Sequence, residues 1–518
     1  MTSRFVSFGR IERHAERLES YTGLYSTHAL VLYPKNREEV RCIFAWAAKR
    51  NRRVTLRAGG HSFDSQALGD DLVVSMRRLD EIRLDLANKR IHVGPGATWG
   101  RILGALEGCG FVPAVTVTTA HATAGGTLSG DCLSRFSPAY GKEGEWISSF
   151  EIETPDGRSF TCARPTDGDD PRSLEEHLFL GVIGGLGYLG AVVSITYRVL
   201  EVCQTDGQIG VETSVRRRSS FGELTKELVP KVGTARERRD PCDKDKLDSV
   251  WCAVFAEGRD RRDALVFTSF FTSEPRRRRM GLHQPGLPFR VLVEWAMTVP
   301  PVPGLLWRIA MPLIYPDKKR FIDDLEGFTF FMDGNRRAKQ IAKVIGWKPK
   351  TVQQTFIVPT DLDAEGGWET AGKDLVSWLE YAHGYLSGLG LTPTLQDVLW
   401  MPKDFPFRLS ATGRTSGFAV SYAFETSNSD VVEFAKLALA EMAEVLWDEY
   451  RGRVYLVKNV CARPETLAAM YGDDARDFFA VKDEVDPRRI LANGFLARTF
   501  GELLAPPVGP LTGPRGTP

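Results

Sequence analysis

The sequence lacks an excess of charge of either sign: its 518 residues carry 67 lysines and arginines against 66 aspartates and glutamates, a net charge of +1. Nucleic-acid binding needs a basic face to neutralise phosphates, so that balance argues against such a partner. Cysteine is sparse and unpatterned. The eight of them, Cys42, Cys109, Cys132, Cys162, Cys203, Cys242, Cys252 and Cys461, form no CxxC pair. A reduced cytoplasmic protein is the simplest reading, with no metal site indicated. A signal-like start is missing too, since "MTSRFVSFGRIERHAERLES" is charged throughout. The uncharged "WAMTVPPVPGLLW" (Trp295–Trp307) is too short and proline-rich for a bilayer span, which takes about 20 apolar residues. No transmembrane segment is expected, with peripheral contact at a membrane as an alternative.

What is present fits a soluble globular chain, 43% apolar and 26% charged, and long enough for two domains. The first two hundred residues alternate short strands ("HALVLYP", "RRVTLRAGG", "DDLVVSM", "RIHVGPGAT", "GAVVSITYRVL") with helical patterns. "NREEVRCIFAWAAKRN" spaces Val40, Ile43, Phe44 and Ala47 along one helix face, and "TWGRILGALEGCG" reads as a helix stopped by glycine. Beyond Cys203 the composition changes. "SVRRRSS", "TARERRDPCDKDKLD" and "SEPRRRRMGL" read as charged surface loops. "VWCAVFAEG", "ALVFTSFFT", "TVQQTFIVP" and "GFAVSYAFE" read as strands, and "DVVEFAKLALAEMAEVLWDEY" as a helix. The class is therefore α+β, with a second domain of antiparallel sheet covered by helices. The tail "APPVGPLTGPRGTP" reads as disordered.

Three glycine-rich turns stand out: "RAGGHS" at 57–62, "ATAGGTLSGD" at 122–131 and "GVIGGLGYLG" at 181–190. A bare backbone lets several N–H groups converge on an anion. None is a GxGxxG fingerprint with an acidic residue about 20 positions on. Each alone reads as a tight turn; three in one domain point to a nucleotide.

The order "VTLRAGGHSF…LVVSMRRLDEIRLD…RIHVGPGATWGRIL…GGTLSGD…GGLGYLGAVVSITYRV" resembles the FAD-binding domain of the vanillyl-alcohol oxidase (PCMH-type) flavoprotein family over about two hundred residues. The resemblance implies an FAD domain of two small α/β subdomains over residues 1–202. It assigns the first turn, Ala58, Gly59, Gly60, His61, Ser62 and Phe63, to the FAD diphosphate. It assigns Thr119, Thr123, Gly125, Gly126, Ser129 and Gly130 to the flavin, and Gly190 and Val192 to the adenine and ribose end. Family members with "GGHS" here attach FAD covalently through the histidine. His61 is therefore expected to bond the flavin, an imidazole being nucleophilic enough to add to an electrophilic carbon. The alternative is a histidine that only hydrogen-bonds the diphosphate.

"FGR" near the start, "TVQQTFIVPTD", "GRVYLVKNVCARPETLAAMY" and "VDPRRILANGF" are similar to the decaprenylphosphoryl-ribose oxidases, which are sugar oxidases, and more distantly to sterol C24 reductases. That likeness implies a substrate domain over 203–450, a return to the FAD domain over 451–500, and a tail from 501. It implies that Lys458 stands beside the flavin's reacting edge, that Tyr455 touches the cofactor, and that Asp131 belongs to the catalytic set. Gln353, Asp397, Cys132 and Lys458 fall on the substrate side; solvent-facing strand positions are the alternative for Lys458, Gln353 and Asp397. Departures exist. The histidine these oxidases carry after the second turn falls on Leu133 here, and Cys132 is not placed to form a second flavin bond. Trp295–Pro316 reads as a loop over the domain interface or as a contact with a membrane or an apolar substrate. The implied function is an FAD-dependent oxidoreductase taking hydride from an alcohol carbon of a sugar or polyol, with molecular oxygen as acceptor. The alternatives are a dehydrogenase or reductase of polyprenyl-linked sugars or sterols, and a flavin carrier without catalysis.

Overall fold

The computed structural model describes residues 7–166, 171–202, 209–237, 241, 243, 246–257, 261–273, 317–333, 349–362, 364 and 366–504. The first of its sheets is mixed. Strand Arg13–Glu19 runs antiparallel to Ser26–Leu32, and Leu72–Ser75 pairs in parallel with Ser26–Leu32 and Val54–Arg57. Parallel neighbours need a crossover, and helix Arg37–Lys49 supplies it. Asn36 caps that helix by accepting from the Glu39 amide at 2.9 Å. Its Val40, Ile43, Phe44 and Ala47 are buried in one cluster with Leu32, Val54, Leu72 and Val74, as their spacing requires.

The second sheet is antiparallel, ordered Ile82–Asp85, Arg90–Val93, Ala191–Arg198, Ile147–Glu153, Ser159–Ala163. Helices Trp99–Leu106 and Ala124–Gly130 share its core through Trp99, Ile102, Leu106, Ala124 and Leu128.

The large sheet has eight strands, ordered Arg320–Asp324, Gly210–Arg218, Arg261–Thr272, Ser249–Glu257, Leu395–Met401, Gly417–Thr426, Lys350–Pro359 and Arg453–Val454. Its pairings are antiparallel. Strand side chains alternate with period two, so each strand sorts its residues onto two faces. Val352, Phe356, Val398, Trp400, Val420, Tyr422, Cys252 and Val266 pack with helices Phe221–Arg236, Gly367–Gly388 and Ser429–Tyr450. The intervening positions, among them Gln353, Thr355, Ser421 and Asp397, fall on the opposite face.

The chain after Arg451 touches both halves. Arg453–Val454 extends the large sheet, whereas the Val54 amide donates to Ile490 O at 2.7 Å and Leu491 bridges Val54 in the first sheet. A buried Lys482 fixes this return by donating to Tyr188 O, Leu491 O and Asp486 Oδ2, each at 2.9 Å. No helix among the described residues is long and apolar enough to cross a membrane.

Three expectations need correction. "SVRRRSS" is not a loop up to Arg218 but the end of strand Gly210–Arg218. It stays in the ladder because Thr213 and Val215 are buried while Arg217 and Arg218 meet Asp263 (3.1 Å) and Glu227 (2.6 Å). Residues 501–504 are not tail; they close helix Gly494–Leu504. Lys458 is not in a strand, since that strand ends at Val454 and a turn follows. Trp295–Pro316, most of "SEPRRRRMGL" and residues 505–518 lie outside the described residues.

Candidate active site

The first glycine turn leaves strand Val54–Arg57 and doubles back under its own arginine. Gly60 has φ +73°, and a Cβ there would lie 2.5 Å from Arg57 Nη2, so any side chain meets strain and a clash. Arg57 is itself pinned to Glu19 O at 3.0 Å and Ala67 O at 3.3 Å. Burial lowers its pKa to about 10, which leaves it a cation at neutral pH. The Gly59 amide donates to Thr123 Oγ1 at 3.1 Å, which ties the first turn to the second. The amides of Gly60, Ser62 and Phe63 find no acceptor among the described residues. The His61 ring packs against Tyr21, with centroids 5.5 Å apart, and lies parallel to His121 at 6.5 Å.

The second turn opens helix Ala124–Gly130, which presses so closely on the chain at Pro95 that a Cβ on Gly125 would sit 2.5 Å from Pro95 Cβ. Beneath it Glu143 Oε1 accepts from Thr127 Oγ1 at 2.8 Å and from the Tyr197 hydroxyl at 2.5 Å, while Oε2 is buried without a partner among the described residues. Desolvation pushes this carboxyl up to about 8 against those two hydrogen bonds.

All three turns open into one cavity of about 310 Å³. Its lining contains Ala58, Gly59, Gly60, His61, Ser62 and Phe63 from the first turn. Thr119, Thr123, Gly125, Gly126, Ser129 and Gly130 come from the second, and Gly190 and Val192 from the third. The same cavity is lined by Tyr455, Lys458, Cys132, Gln353 and Asp397. Asp131 is absent from it. Its buried carboxylate pairs with Lys142 Nζ at 2.5 Å and accepts from the Gly144 amide at 2.9 Å, so the expected part in the chemistry gives way to a structural one. Tyr455 donates to Asp131 O at 2.9 Å, and burial holds its phenol well above the usual range; it is a fixed donor, not a base.

Sequence reasoning missed the residues that set Lys458 in place. Gln66 Nε2 donates to Leu456 O (3.0 Å) and Lys458 O (3.1 Å), and Asn459 Nδ2 donates to Phe63 O at 3.1 Å. Asn459 also exchanges bonds with the Gln353 backbone: Gln353 N donates to Asn459 Oδ1 (2.9 Å) and Asn459 N to Gln353 O (2.8 Å). The lysine's turn is thus stapled between the first glycine turn and the large sheet. Its ammonium sits 3.8 Å over the Phe63 ring centroid. Desolvation lowers its pKa, while the negative charge of Asp397 and the Cys132 thiol oppose that. Thr355 and Ser421, hydrogen-bonded at 2.8 Å, and Phe331 and Met332 complete the wall. The small polar residues at alternate positions of "TVQQTFIVP" and "GFAVSYAFE" were the available signal, usable only once the register was known.

A dinucleotide flavin needs amide donors for its diphosphate and close backbone for its ring system, and the first two turns offer both. The residues present fit FAD. No His/Cys/Asp/Glu cluster suited to a metal occurs among the described residues.

Comparison with known proteins agrees. Residues 28–163 match the family model of the FAD binding domain. The chain is 25% identical over 177 residues to an uncharacterized oxidoreductase in the fasciation locus of Rhodococcoides fascians, covering 34% of this chain and 38% of that protein. It is 27% identical over 169 residues to cytokinin dehydrogenase 2 of Arabidopsis thaliana (31% of each chain). It is 26% identical over 174 residues to an FAD-linked oxidoreductase of Aspergillus ruber (33% of each). The match spans about a third of the length of these relatives. The match to an FAD binding domain and the likeness to FAD-linked oxidoreductases are consistent with the vanillyl-alcohol oxidase (PCMH-type) flavoprotein superfamily.

Proposed function

We propose that this protein is an FAD-dependent oxidase that takes hydride from an alcohol carbon of a sugar or polyol-like substrate and passes the electrons to molecular oxygen. One observation carries the reading: a single cavity is lined both by the three glycine turns and by Lys458, Gln353, Thr355, Ser421 and Asp397 from the C-terminal part of the chain. FAD bound there supplies a two-electron acceptor. The chain's own work is positioning. Lys458 donates to the substrate's reacting oxygen, and Gln353, Thr355 and Ser421 both donate to and accept from its other hydroxyls. His61 forms the covalent link to the flavin, the reading favoured by its place in the first turn and in the lining. Residues 1–202 with 451–500 serve the cofactor and 203–450 the substrate.

A reductase or dehydrogenase of a substrate with an apolar tail is the second reading. It is favoured by the apolar cluster of Val215, Ala253, Leu265 and Phe267, with Trp251 packed against it, on the face that bears Asp397. Peroxide released in air on a panel of sugars, polyols and nucleosides supports the oxidase; flavin reduced by NAD(P)H alone supports the reductase. Acid precipitation tests the link, because yellow colour left in the supernatant rules out a covalent bond.

A further inference from the structure

We propose that Asp397 is the catalytic base of this site, accepting the substrate's hydroxyl proton on Oδ1 while Lys458 stays a cation that orients the reacting oxygen; this rests on the oxidoreductase reading above.

The cavity offers few groups able to take a proton. Lys458 is held on the Phe63 ring, a contact that favours its charged form. Burial holds the Cys132 thiol and the Tyr455 phenol protonated, and Arg57 remains a guanidinium. Gln353, Thr355 and Ser421 are neutral and cannot hold a proton at neutral pH. His61 belongs to the other end of the chemistry, in the diphosphate turn. Asp397 is left. Register places it in a row across the large sheet, Thr355–Ser421–Asp397–Ala253, on the cavity face. Ala253 beside it is small, and Asp397 Oδ1 is buried with no hydrogen-bond partner among the described residues. A buried carboxylate oxygen without a donor is costly unless a ligand supplies one. Desolvation raises its pKa above the ordinary carboxylate value, against the charge of Lys458, the hydrogen bond from Ser421 and the charge of Arg135, which lower it. In the step, the substrate's O–H bond breaks and its proton bonds to Asp397 Oδ1. The C–H electron pair would leave as hydride, for which FAD held by the glycine turns would supply the acceptor, and a C=O bond would form. The substrate loses two electrons and the flavin gains them.

The test uses the FAD-loaded protein and two readouts. Asp397→Asn should keep its flavin yet be reduced about 10²-fold or more slowly by whichever alcohol bleaches the parent protein. Sulfite, an anion that adds reversibly to flavins, reads charge at the reacting edge without any substrate. Asp397→Asn should bind it about tenfold tighter and Lys458→Met about tenfold weaker. Should Asp397→Asn fail to hold FAD, Asp397→Glu replaces it, with parental sulfite affinity and slowed reduction expected. Parental reduction rates in the variant overturn the assignment and leave the oxidase reading standing. If no alcohol bleaches the parent, the oxidase reading fails, and an unchanged sulfite affinity overturns Asp397 separately.

Discussion

The two parts of the cavity are made by different means. The cofactor part is made of backbone: Gly60 folds under Arg57, Gly125 lets a helix press on Pro95, and the amides of Gly60, Ser62 and Phe63 have no acceptor among the described residues. The wall around Asp397 is made of side chains, contributed by strands whose residues are far apart in sequence and meet only through register: Thr355, Ser421, Asp397 and Ala253. Backbone sites depend on where glycine is allowed, and a short run of sequence specifies them. Side-chain sites depend on pairing, and a one-residue slip would turn the whole row to the helix-covered face. Damage should therefore differ as well, with cofactor loss in one part and slow chemistry with the cofactor retained in the other.

The largest expected effect is on the side-chain wall. Lys458→Ala should keep its FAD and lose about 10²- to 10⁴-fold in the rate of anaerobic flavin reduction by substrate, read by stopped-flow absorbance. An unchanged rate removes Lys458 from the mechanism. Next comes Gln66→Ala, which leaves Leu456 O and Lys458 O without their shared donor and should cost about 1–3 kcal/mol in denaturant unfolding. It should also slow reduction, since the lysine's turn loosens. Gly60→Ala should do the reverse. A side chain at positive φ costs roughly 1–2 kcal/mol and also meets Arg57, so the flavin-to-protein ratio should drop while residual holoenzyme reacts normally. A full flavin complement in Gly60→Ala would break the comparison.

The smallest effect concerns Glu143, beneath the second turn. Its folded pKa of about 8 lies above the ordinary 4.5, so between these values the folded protein holds a proton that the unfolded chain has lost. Stability contributed by this group is full below about 4.5 and falls as pH rises through 8. Glu143→Gln should flatten that slope in unfolding curves taken across the window; an identical slope would assign it to other groups.

Most of the cofactor part was legible in the sequence because its elements are local. The three turns, the strand before the first, and the helix spacing of Val40, Ile43, Phe44 and Ala47 all lie within short windows. Even there, Gln66 and the exchange between Asn459 and Gln353 were hidden, because the partners lie 390 and 106 residues apart in the chain. The same holds for Asp131: the resemblance to the sugar oxidases implied a catalytic part, but the buried Lys142 that claims it becomes its neighbour only in the fold. The arginines of "SVRRRSS" misled in the opposite sense. Charge density reads as loop until Asp263 and Glu227 are seen to neutralise it.

The most direct measurement is anaerobic bleaching of the bound flavin against sugars, aminosugars, nucleosides and polyols, followed by admission of air. The account predicts that at least one alcohol bleaches the flavin in the parent protein, that air restores its colour with release of peroxide, and that Lys458→Ala bleaches far more slowly at equal flavin content. Flavin that no alcohol reduces, but that NAD(P)H bleaches directly, would contradict it.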